Sequence, residues 1–342
     1  MIIAKIIKTC IRSVWEESRC KYDPNTNEYI TRLWLYPAWW KLKFGKNQDN
    51  TINPNNFFTA IPNRGAGIGH QISNWQSGLW FSQVFGVQHA HVPFAQKSWE
   101  HFLNYGAGDP LASDLKRKGY RTVHLPIFHE DNEDEMQMIR RMMAQYNQQR
   151  VVFYAEQDQS FRDQYTVMDT VRERFFQSVV RKSDLTPFSP DHYNIAIHLR
   201  RGDIVIGQAN GNPNLLMRWL DNNYYRNVLE QALKRVKTDK EIHIYIFSQG
   251  REEDYPEFCG YPNVHFFLDL NPESTFLSFV YADLLITSKS SFSYKPALLN
   301  RNGKKICPRN FWHGYPETDD WILAEDDGTI DAIQMQKLDR LS

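Results

Sequence analysis

The second half of the chain alternates short apolar runs with longer amphipathic stretches, and this alternation constrains the fold more than any other feature. Runs with the length of buried strands are separated by segments whose apolar residues recur at helical spacing. Strands that alternate with helices favour a parallel sheet covered on both faces. The predicted strands are "NIAIHLR", "EIHIYIFS", "VHFF", "LLITS" and "KKICP", and the predicted helices are "YYRNVLEQALKRVK", "ESTFLSFVYAD" and one beginning in "FSYKPALLN".

The first half shows the same alternation less regularly. A strand in "FFTAIP" leads into a glycine-rich loop and then into a helix that Gly86 is placed to end. Further strands are predicted in "GVQHAHVPF", "TVHLPIF" and "RVVFYAEQDQSF", and helices in "DNEDEMQMIRRMMAQYN" and "YTVMDTVRERFFQSVV". The stretch "RKSDLTPFSPD" has the composition of a linker, so we predict two domains, residues 1–185 and 186–342.

Charge and cysteine content narrow the class of protein. The 40 basic and 40 acidic side chains give a formal net charge of zero, which disfavours a nucleic-acid partner. The four cysteines are scattered without a pairing pattern, so a cytoplasmic location is expected. The apolar run in the opening "MIIAKIIKTCIRSVW" is too short for a membrane span. The pattern there favours a short basic helix, which could make at most a peripheral contact with a membrane. Residues 21–57 are predicted to be irregular or briefly helical.

The stretch "IAIHLRRGDI" places two arginines directly after a buried strand. His198, Arg200, Arg201 and Asp203 then lie at the carboxyl end of that strand, where open parallel sheets bind their ligands. A guanidinium offers a planar fork of donors that fits phosphate oxygens. The alternative is an ordinary surface cluster of ion pairs. Within this α/β pattern, the sequence favours a phosphate-binding site.

Hydroxyl groups follow two other predicted strands. The stretch "ITSKSSFSYKPALL" places Ser290, Ser291 and Ser293 at the start of a helix that begins near Phe292. Helix starts carry unpaired N–H groups, which suit phosphate oxygens. Ser248 ends "IYIFS", although a capped turn alone would also explain a serine there. We expect the three strand ends to converge on one crevice.

The glycine loop "NRGAGIGHQ" matches the dinucleotide fingerprint only in part. Gly67 and Gly69 are present, but His70 and Gln71 stand where the last glycine would fall. The loop is predicted to allow a close backbone approach to the other domain or to a ligand. There is no D-x-D pair for a metal-bound diphosphate, and no third ligand accompanies His89 and His91, so no metal site is predicted.

"IAIHLRRGDI" resembles the H-x-R-R-x-D motif of the α-1,2-fucosyltransferases, which α-1,6- and protein O-fucosyltransferases share more loosely. The resemblance runs from about Asn63 to Trp312. It includes "GIGHQISNWQSGLWFSQVFGV", "FYAEQDQSF", "VRERF", "IYIFSQG", "FVYADLLITSKSSFSYKPALLN" and "KKICPRNFW". His70 replaces the usual asparagine, and Gln249 and Gly250 replace two carboxylates of an F-S-D-D turn.

The resemblance implies a metal-independent, inverting glycosyltransferase of GT-B type, with two facing Rossmann-like domains and no cofactor. The second domain would bind GDP-fucose, and the first would face a glycan or lipid-linked oligosaccharide acceptor. Arg200 and Arg201 would hold the donor phosphates, while His198 and Asp203 would shape the nucleotide side. The rest of the donor cradle would be formed by Ser290, Ser291, Phe292 and Ser293.

An inverting transfer also needs a base for the acceptor hydroxyl. Glu156, Asp158 and Asp203 are the candidates, and Asp203 is the poorest base because it adjoins two arginines. Two alternatives stay open at this point. One is transfer of a different GDP- or nucleotide-activated sugar, and the other is a non-catalytic glycan- or nucleotide-binding protein on the same scaffold.

Overall fold

The computed structural model describes the chain in six ranges, namely residues 21–23, 28–30, 50–126, 128–155, 163–211 and 213–339. Contacts divide these residues into two compact units. The first takes those within 1–61, 74–92 and 108–161, and the second takes those within 62–73, 93–107 and 162–342.

Up to residue 183, the described residues form six strands and five α-helices. The strands are β1 (Lys21–Asp23), β2 (Glu28–Ile30), β3 (Phe57–Ala60), β4 (Gln88–His89), β5 (Arg121–His124) and β6 (Val151–Ala155). The helices are α1 (Ile68–Phe85), α2 (Lys97–Leu103), α3 (Ala112–Arg117), α4 (Glu133–Ala144) and α5 (Met168–Gln177), and a 3₁₀ helix follows at Val179–Ser183.

From residue 192 onwards, strands and helices alternate as the sequence predicts. The strands are β7 (His192–His198), β8 (Glu241–Ser248), β9 (Val264–Leu268), β10 (Leu284–Ile286), β11 (Lys304–Pro308) and β12 (Trp321–Ala324). The helices are α6 (Asp203–Ala209), α7 (Pro213–Leu216), α8 (Asn222–Leu233), α9 (Pro272–Tyr281), α10 (Ser291–Leu299) and α11 (Ala332–Asp339), with a 3₁₀ helix at Glu252–Asp254.

Each unit contains a parallel sheet. The first unit has four parallel strands in the order β4-β3-β6-β5, and β1 and β2 form a separate antiparallel pair. The second unit has six parallel strands in the order β12-β11-β10-β7-β8-β9. Counted within that unit the order is 3-2-1-4-5-6, which is the doubly wound arrangement. The strand order reverses between β7 and β10, and ligands of such sheets bind at this reversal.

The core of the second unit explains why its central strands read as apolar runs. Ile195 and Ile197 of β7 and Ile244 and Ile246 of β8 pack with Val228 of α8 in one buried cluster. Helices also cover the opposite face of the sheet. Side chains on both faces of the central strands are therefore buried. Burial of this kind contributes roughly 1.5–3 kcal/mol for each large aliphatic side chain and fixes the strand ends that carry the polar residues.

The predicted α/β class is confirmed, and every strand predicted in the second half forms. Sequence periodicity missed α2, α3, α6, α7, α11 and β12, because each is too short to show a repeat. Residues 1–20, including the predicted basic helix, lie outside the described residues. Of residues 21–57, predicted irregular or briefly helical, the described part contains β1, β2 and the start of β3. Among the helices of the described ranges, none combines the length and the apolarity that a bilayer span requires.

The division by contacts does not follow the boundary predicted between residues 185 and 186. Gly69 lies against the backbone of Ser291, and the ring of Trp99 meets that of Phe276 at 5.6 Å between centroids. Segments that precede the predicted linker therefore pack on helices of the second unit. A single cut in the sequence cannot represent such an interleaved arrangement.

Candidate functional site

Two loops meet at the reversal of strand order in the second unit. β7 ends at His198 and runs into the arginine loop, while its neighbour β10 ends at Ile286 and runs into the hydroxyl-rich turn. Gly202 has a φ of +64°, a conformation that side chains disfavour, and it lets the arginine loop turn directly into α6. The sequence motif and the ligand-binding edge of the sheet thus coincide.

Arg200 links these two loops. Its Nη1 donates to Ser290 Oγ at 3.1 Å, and its Nη2 donates to both carboxylate oxygens of Asp203 at 2.9 and 3.0 Å. The Arg200 side chain is 24% exposed, and the Asp203 side chain is 59% exposed. Both carboxylate oxygens of Asp203 are therefore engaged by one guanidinium.

Arg201 points in another direction. Its side chain is buried, donates to the Arg200 carbonyl at 2.8 Å and to Asn222 Oδ1, and lies 4.2 Å over the ring of Trp219. Among the residues that the structure describes, no carboxylate lies within 4.0 Å of it. Neutral acceptors and an aromatic face therefore hold its positive charge, and Asn222 in turn donates to Glu257 Oε2 at 2.9 Å.

A third guanidinium, that of Arg218, lies close to the pair. Burial lowers the pKa of Arg218, repulsion from Arg200 lowers it further, and the charge of Asp203 opposes both effects. Sequence reasoning missed Arg218, because it follows the short helix α7 and belongs to no motif. Arg200 and Arg218 both act on Asp203, while Arg201 makes no ion pair with any carboxylate that the structure describes. The excess positive charge suits an anion such as phosphate.

The neighbouring cation is already balanced. Lys289, in the turn after β10, pairs with Asp326 at 2.6 Å. The excess charge of the site therefore lies on the arginine loop and Arg218.

His198 is buried directly below the arginines. Its Nδ1 shares a hydrogen bond of 2.8 Å with Ser288 Oγ, and its ring packs against Phe279 and Phe292. Burial, together with the charges of Arg200 and Arg201, lowers the pKa of His198 to about 3. The imidazole is neutral near neutral pH, so it supports the loop and does not act as a proton donor.

His198 should make the protein acid-sensitive. Its pKa is near 6.5 when unfolded and about 3 when folded, so the unfolded state takes up the proton first as the pH falls. The contribution of neutral His198 to the free energy of unfolding is fully present above pH 6.5 and is lost as the pH falls towards 3. The loss is roughly 2 kcal/mol at pH 5. We expect His198→Asn to remove this loss in urea unfolding at pH 5 and pH 7. Parallel pH profiles of the two proteins would contradict a neutral buried imidazole.

The hydroxyl-rich turn is ordered by its own hydrogen bonds. Ser290 caps α10, since its Oγ accepts from Phe292 N at 3.2 Å. Ser293 Oγ donates to the Ser290 carbonyl at 3.3 Å and lies 3.5 Å from Ser288 Oγ. Ser290 and Ser293 are buried, whereas Ser291 and Phe292 are half-buried. The turn therefore presents a rigid edge to Arg200, with Ser291 as its more accessible hydroxyl.

Ser248 supports the arginine loop from the next strand. Its Oγ donates to the Leu199 carbonyl at 2.8 Å. Beside it, the side chain of Gln249 packs against Gly202 so closely that a Cβ there would overlap Gln249 Oε1. Gln249, one of the departures from the family pattern, thus forms part of the wall of the site.

The glycine loop meets the hydroxyl-rich turn backbone to backbone. A Cβ on Gly69 would lie 2.7 Å from the Ser291 carbonyl carbon and 2.8 Å from Phe292 N. Two motifs that lie more than two hundred residues apart in the sequence are therefore in direct contact. Only glycine allows this approach.

Gln71 holds the glycine loop in place. Its Nε2 donates to the Ala66 carbonyl at 2.9 Å, and its Oε1 accepts from Ala95 N at 2.9 Å. Gly67 and His70 are exposed, and no atom lies within 4 Å of a Cβ built on Gly67. Gln71 therefore has a structural role in the loop.

The structure thus brings together the arginine loop, the hydroxyl-rich turn and the glycine loop. Glu156 and Asp158 lie outside the described residues. His89 and His91 are engaged within the first unit, where His89 Nδ1 lies 2.7 Å from Asp109 and His91 Nδ1 accepts from Trp75 Nε1 at 2.9 Å. These contacts give the two histidines a structural role.

A cavity of about 480 Å³ opens elsewhere in the second unit. It is lined partly by Arg172 and Asp320, and it lies at the amino end of β12, the opposite edge of the sheet from Arg200. Arg172 donates to the Leu298 carbonyl at 2.8 Å and Asp320 pairs with Lys305 at 2.6 Å, so its polar groups are matched within the protein.

Comparison with protein-family models and with curated proteins finds no match. Among solved structures, POFUT1 in complex with GDP is 11% identical over 74% of this chain and 97% of its own, with a TM-score of 0.42. The NodZ α-1,6-fucosyltransferase soaked with GDP-fucose is 13% identical over 72% and 92%, with a TM-score of 0.37. The E. coli heptosyltransferase WaaC with ADP-2-deoxy-2-fluoro heptose is 11% identical over 80% and 94%, with a TM-score of 0.38.

Proposed function

We propose that the second unit binds the diphosphate of a nucleotide sugar and that the protein is a glycosyltransferase. The observation that carries this proposal is the excess positive charge of Arg200, Arg201 and Arg218 at the strand-order reversal, opposed there by Asp203. A diphosphate supplies the missing negative charge. Its position beyond the carboxyl ends of the strands is where doubly wound sheets bind nucleotides.

The donor is proposed to be GDP-fucose, and the product an α-1,2 linkage. This finer assignment comes from the resemblance of "IAIHLRRGDI" and its companion motifs to the α-1,2-fucosyltransferases. Gln249 favours a second candidate, transfer of another nucleotide-activated sugar, because it replaces a family carboxylate and packs against Gly202 within the site. A screen of GDP-sugars with analysis of the transferred product separates the two.

The proposed chemistry follows from where charge develops. As the bond between sugar and β-phosphate breaks, negative charge gathers on the phosphate oxygens and positive charge on the sugar ring. Fixed guanidiniums stabilise the departing diphosphate without reorganising at the moment of reaction. Arg200 is the group proposed to touch that phosphate, and Arg201 and Arg218 add positive charge behind it. We therefore propose a transfer that needs no metal ion or cofactor, and the resemblance to the α-1,2-fucosyltransferases leads us to propose inversion.

The acceptor side of the reaction is proposed to use a carboxylate as base. Asp203 is bound to Arg200 through both of its oxygens, which argues against it. Glu156 and Asp158 are therefore the proposed bases. The proposed acceptor is a glycan or lipid-linked oligosaccharide, reached from the cytoplasmic side with a peripheral membrane contact at the amino terminus.

GDP binding tests the proposed function at Arg218. We expect Arg218→Gln to weaken GDP binding about tenfold, since the variant loses a positive charge near the bound diphosphate in a partly dry site. The variant should also show a smaller loss of affinity at high salt. Isothermal calorimetry at two ionic strengths measures both effects.

Arg226→Gln is the matched control, because Arg226 lies on α8 and is 40% exposed beside Glu230. It should bind GDP as the unaltered protein does. Protein that binds no GDP, or an Arg218→Gln variant that binds it unchanged, would contradict the proposed site.

A further inference from the structure

A second polar cluster lies at the opposite edge of the second sheet. His192 begins β7, Glu241 begins β8, and His243 and His265 lie near the starts of β8 and β9. The strand register pairs His192 with Glu241 and Tyr245 with His265. Residues two apart on a strand share a face, so the three histidines and the glutamate project from one face. His198 is six residues along β7, about 20 Å away.

The side chains of this cluster are in contact. The rings of His192 and His243 are stacked with 3.7 Å between centroids, and those of His243 and His265 are 5.2 Å apart. One ligand atom each of His192, Glu241 and His243 lie within 4.8 Å of one another. Small movements of these side chains would bring the three ligand atoms onto a single metal ion.

Hydrogen bonds at the edge of the cluster orient its members. His243 Nδ1 and His265 Nε2 are 2.9 Å apart and share a hydrogen bond. The other ring nitrogen of His243, Nε2, faces Glu241 Oε2 at 3.6 Å. Asn263 donates to Glu241 Oε1 at 2.9 Å and so fixes that carboxylate. Metal-binding histidines commonly bond through their second nitrogen in this way, which orients the ring.

Two nitrogens of the cluster are buried without a hydrogen bond. Among the residues that the structure describes, no group lies within hydrogen-bonding geometry of His192 Nδ1 or of His243 Nε2. Leaving buried polar atoms unpaired is costly. A bound cation would satisfy both unpaired atoms.

We propose that His192, His243 and Glu241 bind a divalent transition-metal ion of the Zn²⁺ type, with His265 as the group that orients His243. Two imidazoles and a carboxylate are a donor set that Zn²⁺ accepts, with water in the fourth position. The stacked rings must turn about their Cβ–Cγ bonds to converge, and that torsion is broad for histidine. The ion would join β7 to β8 at the edge remote from Arg200, so its role is structural and it is independent of the proposed phosphate site.

The test uses full-length protein without a polyhistidine tag, stripped of metal and titrated with Zn²⁺ alone. Calorimetry should show one equivalent bound, and Co²⁺ in its place should give the visible absorption of a tetrahedral site with nitrogen and oxygen ligands. His243→Gln and His192→Gln should each lower Zn²⁺ affinity by roughly 100-fold or more. His101→Gln is the control, since His101 is exposed on α2, and it should bind Zn²⁺ as the unaltered protein does.

Glu241→Gln keeps the test valid if a histidine variant fails to fold, because the Glu241 side chain is 64% exposed. It should lower Zn²⁺ affinity about tenfold while GDP affinity stays unchanged. Absence of a stoichiometric Zn²⁺ site in the unaltered protein would overturn the proposal. The proposal would also be overturned if His192→Gln, His243→Gln and Glu241→Gln all kept full Zn²⁺ affinity.

Discussion

Arg200→Lys is expected to lower the rate of sugar transfer by about 100- to 1000-fold while the fold stays intact. Arg200 reaches Ser290 and Asp203 at the same time through separate nitrogens, which fixes the orientation of its guanidinium. A lysine ammonium keeps the charge but cannot make that two-sided contact or a bidentate contact to phosphate. Steady-state kinetics with GDP-fucose and unfolding in urea measure the two quantities.

Arg117→Lys is the matched control for this substitution. Arg117 also pairs with an aspartate three residues away, Asp114, but on the surface of α3 in the first unit. We expect its transfer rate to match that of the unaltered protein. An Arg200→Lys variant with near-normal turnover would remove the catalytic role proposed for Arg200.

Gly69→Ala is expected to destabilise the protein by about 1–3 kcal/mol and to abolish most GDP binding. The new Cβ would overlap the backbone of Ser291 and Phe292, which cannot move aside as a flexible side chain would. Relief of that overlap must shift the start of α10, and Ser290 caps that helix while it accepts from Arg200. Urea unfolding and calorimetry with GDP report the two consequences.

Gly67→Ala provides the comparison two residues earlier. A Cβ at Gly67 meets nothing within 4 Å, so stability and GDP affinity should remain close to those of the unaltered protein. Equal behaviour of the two alanine variants would show that the contact between the glycine loop and the hydroxyl-rich turn is unimportant.

The architecture of the second unit was accessible from sequence because its strands are short apolar runs between well-marked helices. The same pattern placed Arg200 at a strand end, and the structure shows it beside Ser290 of the predicted turn. Elements of four to eight residues, such as β12 and α11, were missed because so few apolar positions show no period.

Features that depend on strand order and side-chain direction could not be predicted from the sequence. The sequence treats Arg200 and Arg201 alike, yet packing turns Arg201 onto Trp219. Arg218 is near the site because α7 packs on α6, where Leu215 lies against Gly207. The cluster of His192 and His243 requires the register of neighbouring strands, which the sequence does not reveal.

A crystal soaked with GDP tests the central claim most directly, since that claim is that the excess positive charge at the β7–β10 reversal binds a diphosphate. The account predicts phosphate oxygens within about 3 Å of the Arg200 guanidinium and next to the start of α10. Diphosphate density in the cavity lined by Arg172 and Asp320, or anywhere else remote from Arg200, would contradict it.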